Sequence, residues 1–139
     1  MIYEAPFTTD RWLDIVLQPE QRRDHADAME AFAGPTWTYV DIYDHCIAVG
    51  GLYEAAKSTV VAWAYIGADA GPYLPALALK ARRILRENAE HWPIIRSGAL
   101  SDFVAGKRLL GLLGFKPLGV SVKHEGKGYD VFDFVRCRH

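Results

Sequence analysis

Three places in this chain carry side chains or backbone groups whose types and spacing suit chemistry. The first is Gly67-Ala68-Asp69-Ala70-Gly71-Pro72-Tyr73, which lies between an apolar run and a helical pattern. A turn that leaves a strand and opens a helix offers free amides and the positive end of the helix dipole, so a cofactor, if one binds, belongs here. The second is Glu54, a carboxylate at the end of an apolar run, with the chemistry of a general base that deprotonates an amine. It also sits in a polar break beside Lys57, and the plainer reading, which we favour, is a solvated turn carboxylate, because no second catalytic group accompanies it. The third is the pair of segments His45-Cys46 and Cys137-Arg138-His139, four ligand-type side chains. Neither segment has the ligand spacing of a structural zinc site, and adjacent strand residues point to opposite faces, so no metal is expected. His25, His91 and His124 read as helix-surface or loop residues.

A fourth feature is electrostatic. Lys80, Arg82, Arg83 and Arg86 give one helical segment a basic side that suits phosphates. Glu87 and Glu90 interrupt it at i,i+4 spacing from Arg83 and Arg86, the geometry of surface ion pairs, so a solvated face is expected.

Composition narrows the class of protein that must hold these groups. A chain of 139 residues, half of them apolar and 24% charged, fits a single domain, 1–139, with one substantial core. The formal net charge of −1 gives no reason to expect nucleic acid. Two distant cysteines without a C-x-x-C pair indicate neither a disulfide framework nor a redox motif, which makes a reduced cytoplasmic setting the default. The N-terminus lacks the basic and apolar regions of a secretory signal, and the longest apolar run, Val60 to Ile66, is too short to span a bilayer; no membrane is expected.

The elements that would position the turn follow from periodicity. Ile2–Ala5 reads as a short strand stopped by Pro6; Thr8 or Thr9 caps a helix to about Leu17, and Pro19 opens a second that Gly34-Pro35 ends. Trp37 to Tyr43 and Cys46 to Tyr53 form a strand pair turning at Asp44-His45, with Gly50-Gly51 marking a bulge or a close approach. Thr59–Ile66 is nearly all apolar, as in a strand covered on both faces. After the turn, Leu74, Leu77, Ala78, Ala81, Leu85 and Ala89 make the apolar stripe of a helix reaching about His91, and Pro72 and Pro75 are tolerated in its first turn. Trp92–Ser97 follows as a strand, completing a βαβ crossover whose strands must be parallel. Ser101 caps a last helix stopped by a left-handed Gly114, and Phe115–Val122 with Tyr129–Arg136 form a terminal hairpin around Glu125-Gly126-Lys127-Gly128.

This order, and above all Arg108-Leu109-Leu110-Gly111-Leu112-Leu113-Gly114-Phe115, resembles the GNAT acyltransferase superfamily; the compact size and the Trp63 strand are also similar to divergent GNAT-like phage proteins. The resemblance implies an α/β (α+β) fold: a mixed, mostly antiparallel central sheet with one parallel pair at its splayed central strands and helices on both faces. It further implies acetyl transfer from acetyl-CoA to an amine. Tyr65, Ile66 and Gly67 would then hold the pantetheine, and Asp69, Ala70, Gly71 and Tyr73 the pyrophosphate. The turn departs from the family pattern by carrying Asp69 and Pro72, and Leu110 stands where the family's proton-donating tyrosine does. An active enzyme would draw its donor from Tyr65 or Tyr73, with Glu54 as base and a small-molecule or protein amine as substrate, in the cytoplasm. The alternative is a catalytically degenerate phage protein with no cofactor and a structural, virion or assembly role, its partners other phage proteins, found in the host cytoplasm or virion. Self-association into a homo-oligomer stays open under both.

Overall fold

Proline, glycine and short polar side chains set where the regular elements begin and end. The computed structural model describes residues 1–15, 34–56, 58–124 and 126–134. Its strands are β1 (Tyr3–Ala5), β2 (Thr36–Val40), β3 (Cys46–Ala56), β4 (Thr59–Ile66), β5 (Ile94–Leu100), β6 (Phe115–His124) and β7 (Lys127–Phe134). The helices are α1 (Thr9–Asp14), α2 (Leu74–Asn88), entered through a 3₁₀ turn at Gly71–Tyr73, and α3 (Val104–Leu113). Hydrogen bonding orders the strands β1-β2-β3-β4-β5-β7-β6 in one sheet. β4 and β5 are parallel, and the other pairs with a stated register are antiparallel. Contacts divide the chain into two compact units, Met1–Tyr53 with Ala62–Ala76, and Glu54–Val61 with Leu77–His139.

In the first unit the Thr8 hydroxyl accepts the Arg11 amide at 3.1 Å and caps α1. The helix stops at Asp14, short of the expected Leu17, because Ile15 is extended and Asp14 turns its carboxylate to the Cys46 amide at 3.1 Å. The helix expected from Pro19 lies outside the described residues. β2 ends at Val40, also earlier than expected: the Asp41 carboxylate accepts the amides of Tyr43 and His45, folding 41–45 into a turn that leaves Ile42 and Tyr43 exposed. Arg11 ties α1 to this turn through Asp44 at 3.3 Å. Ile15, Cys46 and Val49 form a buried cluster against which Phe7, Trp63 and Tyr65 pack. The glycine pair in β3 has its reason here, since a Cβ on Gly51 would meet the Trp63 ring at 2.6 Å.

In the second unit β4 and β5 run in register over Thr59↔Ile94, Val60↔Ile95 and Val61↔Arg96. β5 is shifted from the expected Trp92–Ser97, because the end of the preceding helix unwinds through Asn88, whose carbonyl accepts the amides of His91 and Trp92. β4 is partly covered on both faces, with Val60 fully buried and Ala64 exposed. Leu77 and Leu85 bury the inner face of α2. Gly114 ends α3 in the left-handed conformation (φ 102°), as expected, with its amide donating to Leu110 and Gly111 carbonyls. Ser101 does not cap that helix. Its hydroxyl donates instead to Asp130 at 2.6 Å, and the Asp130 carboxylate also accepts from Ser121 at 2.8 Å and Lys107 at 3.2 Å. The terminal hairpin closes between His124 and Lys127, tighter than the expected loop; β6 is irregular between Pro117 and Ser121, where Gly119 has φ 76°.

Candidate functional site

The turn after β4 is built by hydrogen bonds it makes to itself and to β3. The Gly67 amide donates to the Ile47 carbonyl at 2.8 Å. A side chain at Gly67 would meet Asp69 Oδ1 at 2.7 Å and that same carbonyl at 3.1 Å, so glycine is required for the close approach. The Ala70 amide donates to Gly67 at 3.1 Å, Tyr73 to Ala70 at 2.8 Å, and Leu74 to Gly71. Ala70 is 1% exposed and pins the turn from below.

Four amides are thus committed, and Pro72 and Pro75 contribute none. Among the described residues, the turn leaves the amides of Ala68, Asp69 and Gly71 without an acceptor. All three residues are exposed, and space is open where a side chain on Gly71 would project. The prolines were legible in sequence; the self-closure of the turn was not, since it depends on how the chain folds back.

Tyr65 lies just before the turn with its ring edge-on to Trp12 (centroids 6.1 Å apart) and Trp63 (5.9 Å). Tyr73 is half-buried in the 3₁₀ turn. Tyr65, Ile66, Gly67, Asp69, Ala70, Gly71 and Tyr73 therefore belong to one compact unit. Glu54 is exposed on β3 in the other unit, as is Leu110, half-buried on α3. No group of three or more His, Cys, Asp or Glu among the described residues is placed to hold a metal ion. Cys46 is buried, and its thiol is pushed up to about 11, first by burial and next by the charge of Asp14.

Sequence reasoning missed the cluster around Asp130. Hydrogen bonds from Ser101, Ser121 and Lys107, in that order of weight, hold its carboxyl below the ordinary carboxylate range. Its partners come from the turn after β5, from β6 and from α3, and no local spacing connects them. A comparable pair, Arg96 and Asp133 at 2.8 Å, links β5 to β7, and the bond raises the arginine above its usual value.

Comparison with solved structures fixes the fold. The acetyltransferase of Bacillus subtilis in complex with CoA superposes with a TM-score of 0.69 over 98% of this chain and 98% of its own, at 12% identity. The IAA acetyltransferase of Bacillus cereus gives 0.69 over 96% and 99%, at 11% identity. A GCN5-related N-acetyltransferase of Kribbella flavida gives 0.65 over 95% and 96%, at 17% identity. This chain has the GNAT fold. No family model matches its sequence, and no curated protein does. Among the described residues no helix is long and apolar enough to cross a membrane.

The GNAT fold implies acetyl-CoA, and the turn can be tested for it. Three charge-assisted amide bonds are worth about 1.5–3 kcal/mol each. Against them stands the Asp69 carboxylate, carried by one of the three donor residues. Two like charges about 4 Å apart repel by roughly 1 kcal/mol in water and roughly 4 kcal/mol near a protein surface, and a pyrophosphate brings two. The opposing sums are of similar size. With the two nearly balanced, the turn has little net attraction for a pyrophosphate.

Proposed function

We propose that this chain is a GNAT-fold protein in a non-catalytic, protein-binding role of the assembly type. The observation that carries the reading is the turn at Gly67–Tyr73, which commits the amide of Gly67 to β3 and those of Ala70, Tyr73 and Leu74 to its own closure, and holds the Asp69 carboxylate beside Gly67. Leu110, in the position of the family's proton donor, supports it, because an alkyl side chain transfers no proton. The finer form, a component of a phage particle or of its assembly, draws its support from the resemblance of size and of the Trp63 strand.

Titrating CoA and acetyl-CoA into the purified chain by calorimetry, with a parallel thermal-shift series, tests the reading. No heat and no shift at millimolar ligand are expected, and saturable micromolar binding overturns it.

Acyl transfer from acetyl-CoA to an amine is the second reading, favoured by the fold likeness and by the three open amides of Ala68, Asp69 and Gly71. It requires a donor other than Leu110, for which Tyr65 and Tyr73 are the candidates, with Glu54 as the base. Turnover of acetyl-CoA with a panel of amines that falls at least tenfold in Tyr73→Phe or Tyr65→Phe would establish it.

A further inference from the structure

The outer face of α2 carries Leu79, Arg82, Arg83 and Arg86, at i, i+3, i+4 and i+7, which places them on one side of the helix. Burial settles its orientation: Leu77 and Leu85 are buried on the inner side, whereas Leu79 is 68% exposed and the three arginines are exposed. The expected pairs of Arg83 with Glu87 and Arg86 with Glu90 do not form. The ion pairs found among the described residues are Arg11–Asp44, Arg96–Asp133 and Lys107–Asp130, and Arg82, Arg83 and Arg86 make no hydrogen bond or ion pair there. Three guanidinium groups and one leucine therefore stand on a patch about 10 Å long with no partner inside the described fold.

We infer that this face docks an acidic protein segment with an apolar residue opposite Leu79. Charge complementarity selects the acid, and arginine's planar fork favours carboxylates held bidentately. Leu79 selects the apolar residue, because covering it removes exposed apolar surface that a purely ionic partner would leave wet. A nucleic acid fits less well: the patch can engage about three phosphates, fewer than the six to ten typical of stable non-specific binding. Glu87 and Glu90 close the arginine run at its C-terminal end, and the chain as a whole carries a net charge of −1. A membrane surface would need a broader apolar face than one leucine. The inference rests on the protein-binding reading and names the class of its partner.

The test is fluorescence anisotropy on the full chain with a fluorescein-labelled peptide of Glu and Leu, a matched peptide of Glu and Gly, and an oligothymidylate. The Glu/Leu peptide is expected to bind and to weaken as salt rises. The combined R82E, R83E and R86E variant should bind it at least tenfold more weakly, with an unchanged far-UV circular dichroism spectrum because all three side chains are exposed. L79S should weaken the Glu/Leu peptide by about threefold and leave the Glu/Gly peptide unaffected, a pattern that charge attraction alone does not give. Equal binding to the charge-reversed chain, no binding to the native chain, or tighter binding of the oligothymidylate overturns the inference. CoA titration reads separately: a chain that binds both CoA and the peptide keeps the docking face and loses the non-catalytic reading.

Discussion

Asp69 is the residue on which the chemistry of the turn depends. Its own amide and those of Ala68 and Gly71 are open, and its carboxylate offsets them. Removing that charge while keeping the shape should tip the balance toward anions. Asp69→Asn is expected to give saturable CoA heats by calorimetry at ligand concentrations where the native chain gives none, and an equally silent variant would mean that turn closure, not charge, excludes the ligand. Gly51 poses a packing question at the same scale. A methyl group there must displace the Trp63 ring or the Pro35 carbonyl, which would stand at 2.6 and 2.9 Å. Gly51→Ala should lower unfolding free energy by about 1–3 kcal/mol, read from urea denaturation followed by tryptophan fluorescence. The sequence could flag Gly50-Gly51 as a place of close approach, but not name the indole that comes close, because Trp63 lies on a strand brought alongside only by the sheet.

Whole elements were legible where one local cause sets them, and were misplaced where a distant group does. β4 and the Gly114 stop match their expected places because an apolar run and a left-handed glycine act locally. β2 and α1 end early because Asp41 and Asp14 give their carboxylates to backbone amides, and only Asp41 does so within its own turn. Ser101 shows the limit most clearly. As a serine ahead of a helix it reads as a cap, yet its hydroxyl goes to Asp130, 29 residues on, which also gathers α3 through Lys107 and β6 through Ser121. That cluster has a defined dependence on pH. The carboxyl is held below its ordinary range, so its contribution is full above the unfolded value of about 3.9 and is lost as pH falls through the lower folded value. Asp130→Ala should therefore melt below the native chain at neutral pH, and the gap in melting temperature should close on acidification below about pH 4. Calorimetric melts across that range check it; a gap that persists in acid would assign the loss to packing.

At the scale of the molecule, the chain passes between its two compact units at Tyr53–Glu54, Val61–Ala62 and Ala76–Leu77, and each passage falls inside a strand or helix. Continuous elements transmit unfolding, so one unit cannot lose β3, β4 or α2 while the other keeps them intact. Urea should give one transition, the same for native tryptophan fluorescence as for a Trp92→Phe variant that removes the second unit's tryptophan among the described residues. Separate midpoints would show that the units melt independently. The likeness to solved GNAT structures belongs to this scale as well: it holds across nearly the full length at 11–17% identity and is a likeness of fold. The irregular edge strand β6 has a bearing on how the protein behaves in crowded solution. Leu118, Val120 and Val122 are exposed along it, which would make a straight strand a nucleus for filament growth. Pro117 offers no amide, Gly119 kinks the run, and Lys116 and Lys123 bring like charges to any copy that approaches. Each of these three features opposes strand-to-strand pairing along this edge, so the exposed apolar side chains of β6 sit on a backbone poorly shaped to template a copy of itself.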